Sequence, residues 1–381
     1  MRFFKEDKNF FYATAVLVGT MVGVGVFGVP FSFAKAGFGV GFLFLLLTGF
    51  LTLIVDAMFG EVILRTNTKH QTVGYAGLYL GPAWKGVMFF AMVLSIYAAM
   101  LAYVIIAGDF LSNILSAFFY LSNTAYSYLF AIILSFLLLF GLKRISRVEL
   151  FLTALFIAVV LIIFGFGVSK VNFDNLQNIN YEFWFLPYGI LLFAFAGMSA
   201  IPLQREILRG EESQLKKSIV WAVSTVGALY LVFAFTVVGV SGDITSPEAV
   251  TGLFDFLGNK IVILGSIFGV LAVGTSFLML GEALKEVFRW DYGLKKGLPW
   301  LLTVMPPFVL FMIGLRGFID VIGLAGSLAV GLILIILIFI YIAAKSKGDR
   351  APEYSLNIPK WLLYSMAALF AAGIVYVLVL G

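Results

Sequence analysis

The stretch Gly19-Thr-Met-Val-Gly-Val-Gly-Val-Phe-Gly-Val-Pro30 lies inside an otherwise apolar run, and its reading decides the fold. A second stretch, Phe193-Ala-Phe-Ala-Gly-Met-Ser-Ala-Ile-Pro202, carries the same punctuation: Pro30 follows Gly25 by five residues, and Pro202 follows Gly197 by five. Gly costs a helix interior backbone entropy, and Pro removes an amide donor. Each run is therefore expected to break in mid-membrane and leave N–H and C=O groups free to bind something. Irregular backbone survives at that depth only where it lines a protein cavity. Paired interruptions at matching places in two halves of a membrane chain point to the central site of a transporter.

Outward from these stretches, the 381 residues are 62% hydrophobic and only 12% charged, whereas a soluble domain carries about a quarter charged residues. The chain reads as an all-α integral membrane protein whose main surroundings are a lipid bilayer. Apolar runs able to cross a hydrocarbon core about 30 Å thick centre on 9–36, 38–63, 85–117, 124–141, 148–169, 184–204, 218–241, 260–284, 298–315, 318–343 and 360–380, eleven spans in all. The first run is long and has no small-residue cleavage site, so it reads as a retained span rather than a signal peptide. With no Cys, disulfides and thiolate metal sites are excluded.

Orientation follows from the basic residues. With a cytoplasmic N-terminus and an extracellular C-terminus, all but four of the 25 Lys and Arg fall inside, the four being Lys35, Lys170, Lys260 and Arg316. The inner groups include Arg2, Lys5 and Lys8; Lys143, Arg144 and Arg147; and Lys285, Arg289, Lys295 and Lys296. Inserting or removing a span would invert the pattern, so it checks the span count too. The net charge of +5 is then a topology signal for a cell inner or plasma membrane protein, and nucleic acid is not an expected partner.

Five spans occupy residues 1–170 and five more 184–345, each block opening with an interrupted helix. Because five is odd, the second block enters from the opposite face, giving an inverted repeat. Residues 346–381 form a cytoplasmic linker and an eleventh span outside it.

The Gly19-Thr-x-x-Gly-x-Gly-x-x-Gly-x-Pro30 opening, the Gly-Pro break in span six followed by Gln204, Glu206 and a basic stretch, and the eleven-span count together resemble the amino acid/auxin permease family. More narrowly, the chain is similar to bacterial aromatic amino acid permeases and sodium-coupled neutral amino acid transporters of the amino acid-polyamine-organocation superfamily. That resemblance implies the LeuT-type 5+5 inverted-repeat fold, with broken first and sixth transmembrane helices, and amino acid uptake by ion symport.

Candidate site residues follow span by span. A break at Gly23, Val24 and Gly25, with Thr20 nearby, exposes a half-helix N-terminus whose amides and positive dipole end suit a carboxylate. The alternative for Gly19-x-x-x-Gly23 is close helix packing. In span six, carbonyls from Phe193 through Phe195, Ala196 and Gly197, with the Ser199 hydroxyl, suit an ammonium group. Phe27, Phe193, Phe195 and Met279 are candidate apolar walls, in a chain with 41 Phe where any one Phe is more often core or lipid-facing. Span eight holds the polar pair Thr275-Ser276. The resemblance implies a sodium site there, made by the carbonyls of Gly19, Val22 and Ala272 and the hydroxyls of Thr275 and Ser276; the alternative is that both hydroxyls bond their own helix.

Sodium is the favoured coupling ion and no cofactor is expected. The proton is the competitor, with Asp56, Asp109 and Glu282 as carriers, since acids within a membrane are costly. Glu61 and Arg65, one turn apart, read as a structural pair. The expected substrate is a small zwitterion with a neutral side chain, aromatic ones included, because no charged group lies near either break. A channel would need a carbonyl-lined filter, usually about an oligomeric axis. A membrane-embedded enzyme would need an intramembrane His, Cys or Gly-x-Ser-x-Gly turn, and the spans carry none.

Overall fold

The computed structural model describes residues 2–140, 145–290, 292–295 and 297–380, with side chains throughout except at 2–7, 145–150, 152 and 290. Of the basic residues in the topology argument, Lys143, Arg144 and Lys296 lie outside the described residues, as do the side chains of Arg2, Lys5 and Arg147.

Regular structure among the described residues is helical. The first half holds α1 (Arg2–Met21), α2 (Gly25–Ala36), α3 (Phe38–Leu64), α4 (Thr72–Leu80), α5 (Pro82–Leu115), α6 (Asn123–Leu137) and α7 (Ile145–Gly167). After short 3-10 turns come α8 (Leu186–Ala194), α9 (Ile201–Ile207), α10 (Leu215–Ser241), α11 (Phe254–Leu257) and α12 (Asn259–Trp290). The chain closes with α13 (Leu298–Met312), α14 (Phe318–Leu324), α15 (Gly331–Lys347) and α16 (Lys360–Leu380). Among the described residues nine helical stretches are long and apolar enough to cross a membrane, counting Asn123–Phe140, Leu186–Ile207 and Phe318–Lys347 as one stretch each. The pair Lys8–Met21 and Gly25–Ala36, bent by 54°, makes a tenth crossing if taken as one span. Helix α13, at 15 residues, is shorter than a full crossing.

The first interruption falls at glycine and not at proline. Val22 still donates to the Val18 carbonyl at 2.8 Å, then the ladder stops and restarts at Gly25. Pro30 sits inside α2, which continues through it. In the second half, α8 ends at Ala194, Phe195 to Gly197 leave the helix, and Met198–Ala200 form a 3-10 turn before α9. Pro202 lies in the first turn of α9, where its missing amide would have had no helical partner anyway.

These interrupted pieces form the centre of the molecule. Helix α2 packs on α8 and α10, α1 on α7, α9 and α10, and α3 on α8 and α10. Val24, Val26, Ile190, Ile201 and Tyr230 are fully buried there. A π-helical segment, Ala325–Val330, joins α14 to α15 and packs against α8 and α5. Helix α16 lies at the periphery, against α15 and the π segment.

Candidate functional site

Between the two interruptions lies a narrow cavity of about 60 Å³. Thr20, Met21, Gly23, Val24 and Gly25 form one wall, and Phe193, Ala196, Met198 and Ser199 form the wall facing it. Helix α5 contributes Met88, Met92, Ser95, Ile96, Ala99 and Tyr103, with Thr72, Leu280 and Ile333 filling the corners. The α5 positions recur at three- and four-residue intervals, so they share one helix face. From Tyr103 to Met88 that face spans about 22 Å at helical rise. The cavity therefore runs from the interruptions toward the membrane face at which α1 and α5 begin. On the other side it is shut by aromatics: the Phe27 ring lies 4.9 Å from Phe110 and 6.4 Å from Phe233, centroid to centroid.

The break itself is tightly built. Val24, which precedes α2, offers no side-chain cap; the Phe27 amide turns back to the Val24 carbonyl at 3.2 Å, and the Gly25 and Val26 amides with the positive dipole end of α2 stay available beside the cavity. A Cβ on Gly23 would sit 2.9 Å from the Tyr103 hydroxyl and 3.7 Å from Ser276 Oγ. A Cβ on Gly25 would sit 2.6 Å from Ala194 Cα, so Gly25 is where the two interrupted helices touch backbone to backbone.

Several candidate residues are placed elsewhere. Phe27 belongs to the aromatic closure and not to the cavity wall. Phe195 turns away, its ring 5.3 Å from Tyr230, because α8 has already ended and the chain is swinging toward α10. Gly197 packs against Leu17 and Met21. Leu280 lines the cavity where Met279, one position back on α12, does not. The Thr20 hydroxyl is turned onto its own helix, donating to the Val16 carbonyl at 2.8 Å.

Of the residues assigned to a sodium site, Ser276 faces the first interruption near Gly23. The Thr275 hydroxyl lies 3.1 Å from both the Leu271 and Ala272 carbonyls of its own helix, so Thr275 and Ala272 are engaged with each other. The three acids separate clearly. Asp109 accepts from Asn123 Nδ2 at 2.7 Å, and Glu282 pairs with Lys285 at 2.7 Å and Arg289 at 3.9 Å. Asp56 is fully buried and neither carboxyl oxygen has a hydrogen-bond partner.

Sequence reasoning missed Tyr103 and the methionines Met21, Met88, Met92 and Met198. A signal for Tyr103 was present: a phenol in mid-span, away from the interfacial belts, needs a polar partner. The methionines carried none, since an apolar residue on an apolar helix has no distinguishing pattern.

A model of the tryptophan/tyrosine permease family matches residues 6–379. The chain belongs to that family. This permease is 25% identical over 342 residues to "Tyrosine-specific transport system 1" of Haemophilus influenzae, covering 83% of each chain. It is 26% identical over 373 residues to the "Low affinity tryptophan permease" of Escherichia coli, covering 90% of this chain and 89% of that one. To "Glutamine transporter 2" of Aliivibrio fischeri it is 23% identical over 358 residues, covering 91% and 92%. These relatives are named as transport systems and permeases, not as enzymes. Among solved structures, MhsT in complex with L-phenylalanine superposes with a TM-score of 0.66 at 18% identity, covering 96% of the permease and 97% of MhsT. The permease is a multi-pass membrane protein with the LeuT-type fold of that neighbour.

Proposed function

We propose that the chain is a secondary active transporter importing a neutral amino acid with a large apolar side chain, aromatic ones included, by ion symport and alternating access. The observation that carries this reading is the cavity at the two interruptions. It offers helix-terminal amides and carbonyls at one end, no charged side chain among the described residues that line it, and four thioethers. A zwitterion fits backbone dipoles, a neutral side chain fits the uncharged wall, and methionine adapts to varied apolar shapes and makes favourable contacts with aromatic rings. The names of the tyrosine and tryptophan relatives support the same substrate class, while that of the glutamine transporter supports a neutral amino acid only.

In this reading α13 completes eleven crossings, residues 1–170 and 184–345 are the two inverted repeats, the N-terminus is cytoplasmic, and the chain sits within the wider amino acid/auxin permease grouping. The cavity then runs to the cytoplasm. Sodium is the favoured coupling ion, with Ser276 and the backbone of the first interruption as its core ligands. A specific observation also favours the proton: Asp56 is a fully buried carboxyl with no hydrogen-bond partner, and such an acid within a membrane span is a candidate proton carrier.

The test is uptake of radiolabelled amino acids into proteoliposomes under a sodium gradient or a pH gradient alone. Accumulation under either gradient supports the transporter, and equilibration without accumulation under both rejects it. Sodium-driven accumulation supports the Ser276 site. If only the pH gradient drives uptake, and Asp56→Asn abolishes that drive, the proton reading replaces it.

A further inference from the structure

Helix α10 takes no part in the cavity wall, yet one of its residues touches both interruptions. Tyr230 is fully buried, and its hydroxyl oxygen lies 2.8 Å from the Met21 carbonyl and 2.8 Å from the Ala194 carbonyl. Met21 is the last residue of α1 and Ala194 the last of α8. Each is therefore a helix C-terminus, with carbonyls that its own helix leaves unsatisfied and the negative end of its dipole. The close contact of Gly25 with Ala194 holds these two negative ends near one another. Without a donor between them they would repel and leave buried acceptors unmade. Tyr230 supplies that donor. A phenol has one proton and bonds one carbonyl at a time, so the two helix ends share it. The ring is steadied by Phe195, 5.3 Å away and itself part of the second interruption.

We propose that Tyr230 is the positioning residue that ties the two interrupted helices into a single binding site. It touches both helix ends and does not line the cavity, so it acts through the Gly23–Gly25 and Phe193–Ala196 backbone that does. This inference rests on the transporter reading for its kinetic consequence; the tie itself is a matter of geometry. Removing the hydroxyl lets the two helix ends drift apart, which loosens the resting site for substrate. The motion that turns the carrier over has no such requirement.

The experiment is Tyr230→Phe in proteoliposomes, reading KM and maximum uptake rate separately for an amino acid that the wild type accumulates. The expected result is a KM raised about tenfold or more, the effect of one lost buried hydrogen bond, with the maximum rate per folded transporter within about threefold of wild type. An unchanged KM overturns the proposal, as does a loss confined to the maximum rate, since that is what a merely structural tyrosine would produce. Should the variant not fold, or the wild type accumulate no amino acid, hydrogen–deuterium exchange of the wild type decides. A tie across both interruptions makes the hydrogen-bonded amides at the two helix ends, Val22 on one side and Phe195 and Ala196 on the other, open as one unit with a common exchange rate. Independent opening of the two segments overturns it. Absence of wild-type accumulation alone counts against the transporter reading and leaves the tie to the exchange data.

Discussion

At single positions, the consequence of a change depends on which atoms stand nearby. Gly23 and Gly25 are two residues apart, yet a Cβ at Gly25 meets the Ala194 backbone, while one at Gly23 meets first the far end of the Tyr103 side chain. Backbone cannot swing aside and a phenol tip can. Gly25→Ala is therefore expected to lower stability by about 1–3 kcal/mol, the usual cost of overpacking a dense interior, and Gly23→Ala by clearly less. Thermal unfolding of the two purified variants checks the order; equal melting temperatures would show that the backbone contact yields. The polar pair on α12 divides in the same way. Thr275 already shares its hydroxyl with carbonyls of its own helix, whereas Ser276 faces the first interruption. If sodium drives uptake, as proposed above, Ser276→Ala is expected to reduce its stimulation severalfold and Thr275→Ala less, as sodium titration of each variant would show. The reverse order would move the ion to the other hydroxyl.

At the level of elements, the segment after α15 is a structural strap. The fully buried Glu61 on α3 accepts from Arg65 Nε at 2.8 Å and the Leu356 amide at 2.6 Å, and pairs with Lys345 Nζ at 2.7 Å. Tyr354 donates to the Ala57 carbonyl at 2.7 Å. Burial, and after it the Glu61 carboxylate, push the Tyr354 phenol well above its usual range, so it remains a donor at any ordinary pH. Glu61→Gln leaves two cations without their shared anion and is expected to cost on the order of 2–4 kcal/mol, releasing the strap. Limited proteolysis between Gly348 and Pro359 reads that release, and an uncut variant would show that Tyr354 and the backbone bonds suffice. The glycine-rich break before α2 and the Gly197 break were legible in the sequence, because their signals are local and of a kind a helix interior rejects. Glu61 and Arg65 were legible as a pair for the same reason. Lys345 and Leu356 were not, nor was Tyr230, because nothing in an apolar helix marks which residue meets a partner two hundred positions away.

For the molecule as a whole, one asymmetry has functional weight: the cavity extends from the interruptions along α5 toward the face where α1 begins, while Phe27, Phe110 and Phe233 close the opposite side. A channel would be open to both faces at once. A carrier working by alternating access closes one side before opening the other, through rocking of its halves about a fixed site. Because the chain contains no Cys, single cysteines report on this directly. Ser95→Cys lies on the α5 wall of the cavity, and Ser32→Cys lies beyond the aromatic closure, buried on α2. Ser95→Cys is expected to react with a membrane-impermeant maleimide applied from the cytoplasmic face, and Ser32→Cys to resist reagent from either face. Under the proposed symport mechanism, the coupling ion present and substrate withheld are expected to turn the molecule outward, slowing labelling at 95 and exposing 32 to the extracellular reagent, since a ligand moves the equilibrium only by its differential affinity for the two states. Reactivity at both positions under one condition would mean a continuous pore. Reactivity at 95 from the extracellular face would invert the orientation drawn from the Lys and Arg distribution while leaving the carrier mechanism in place.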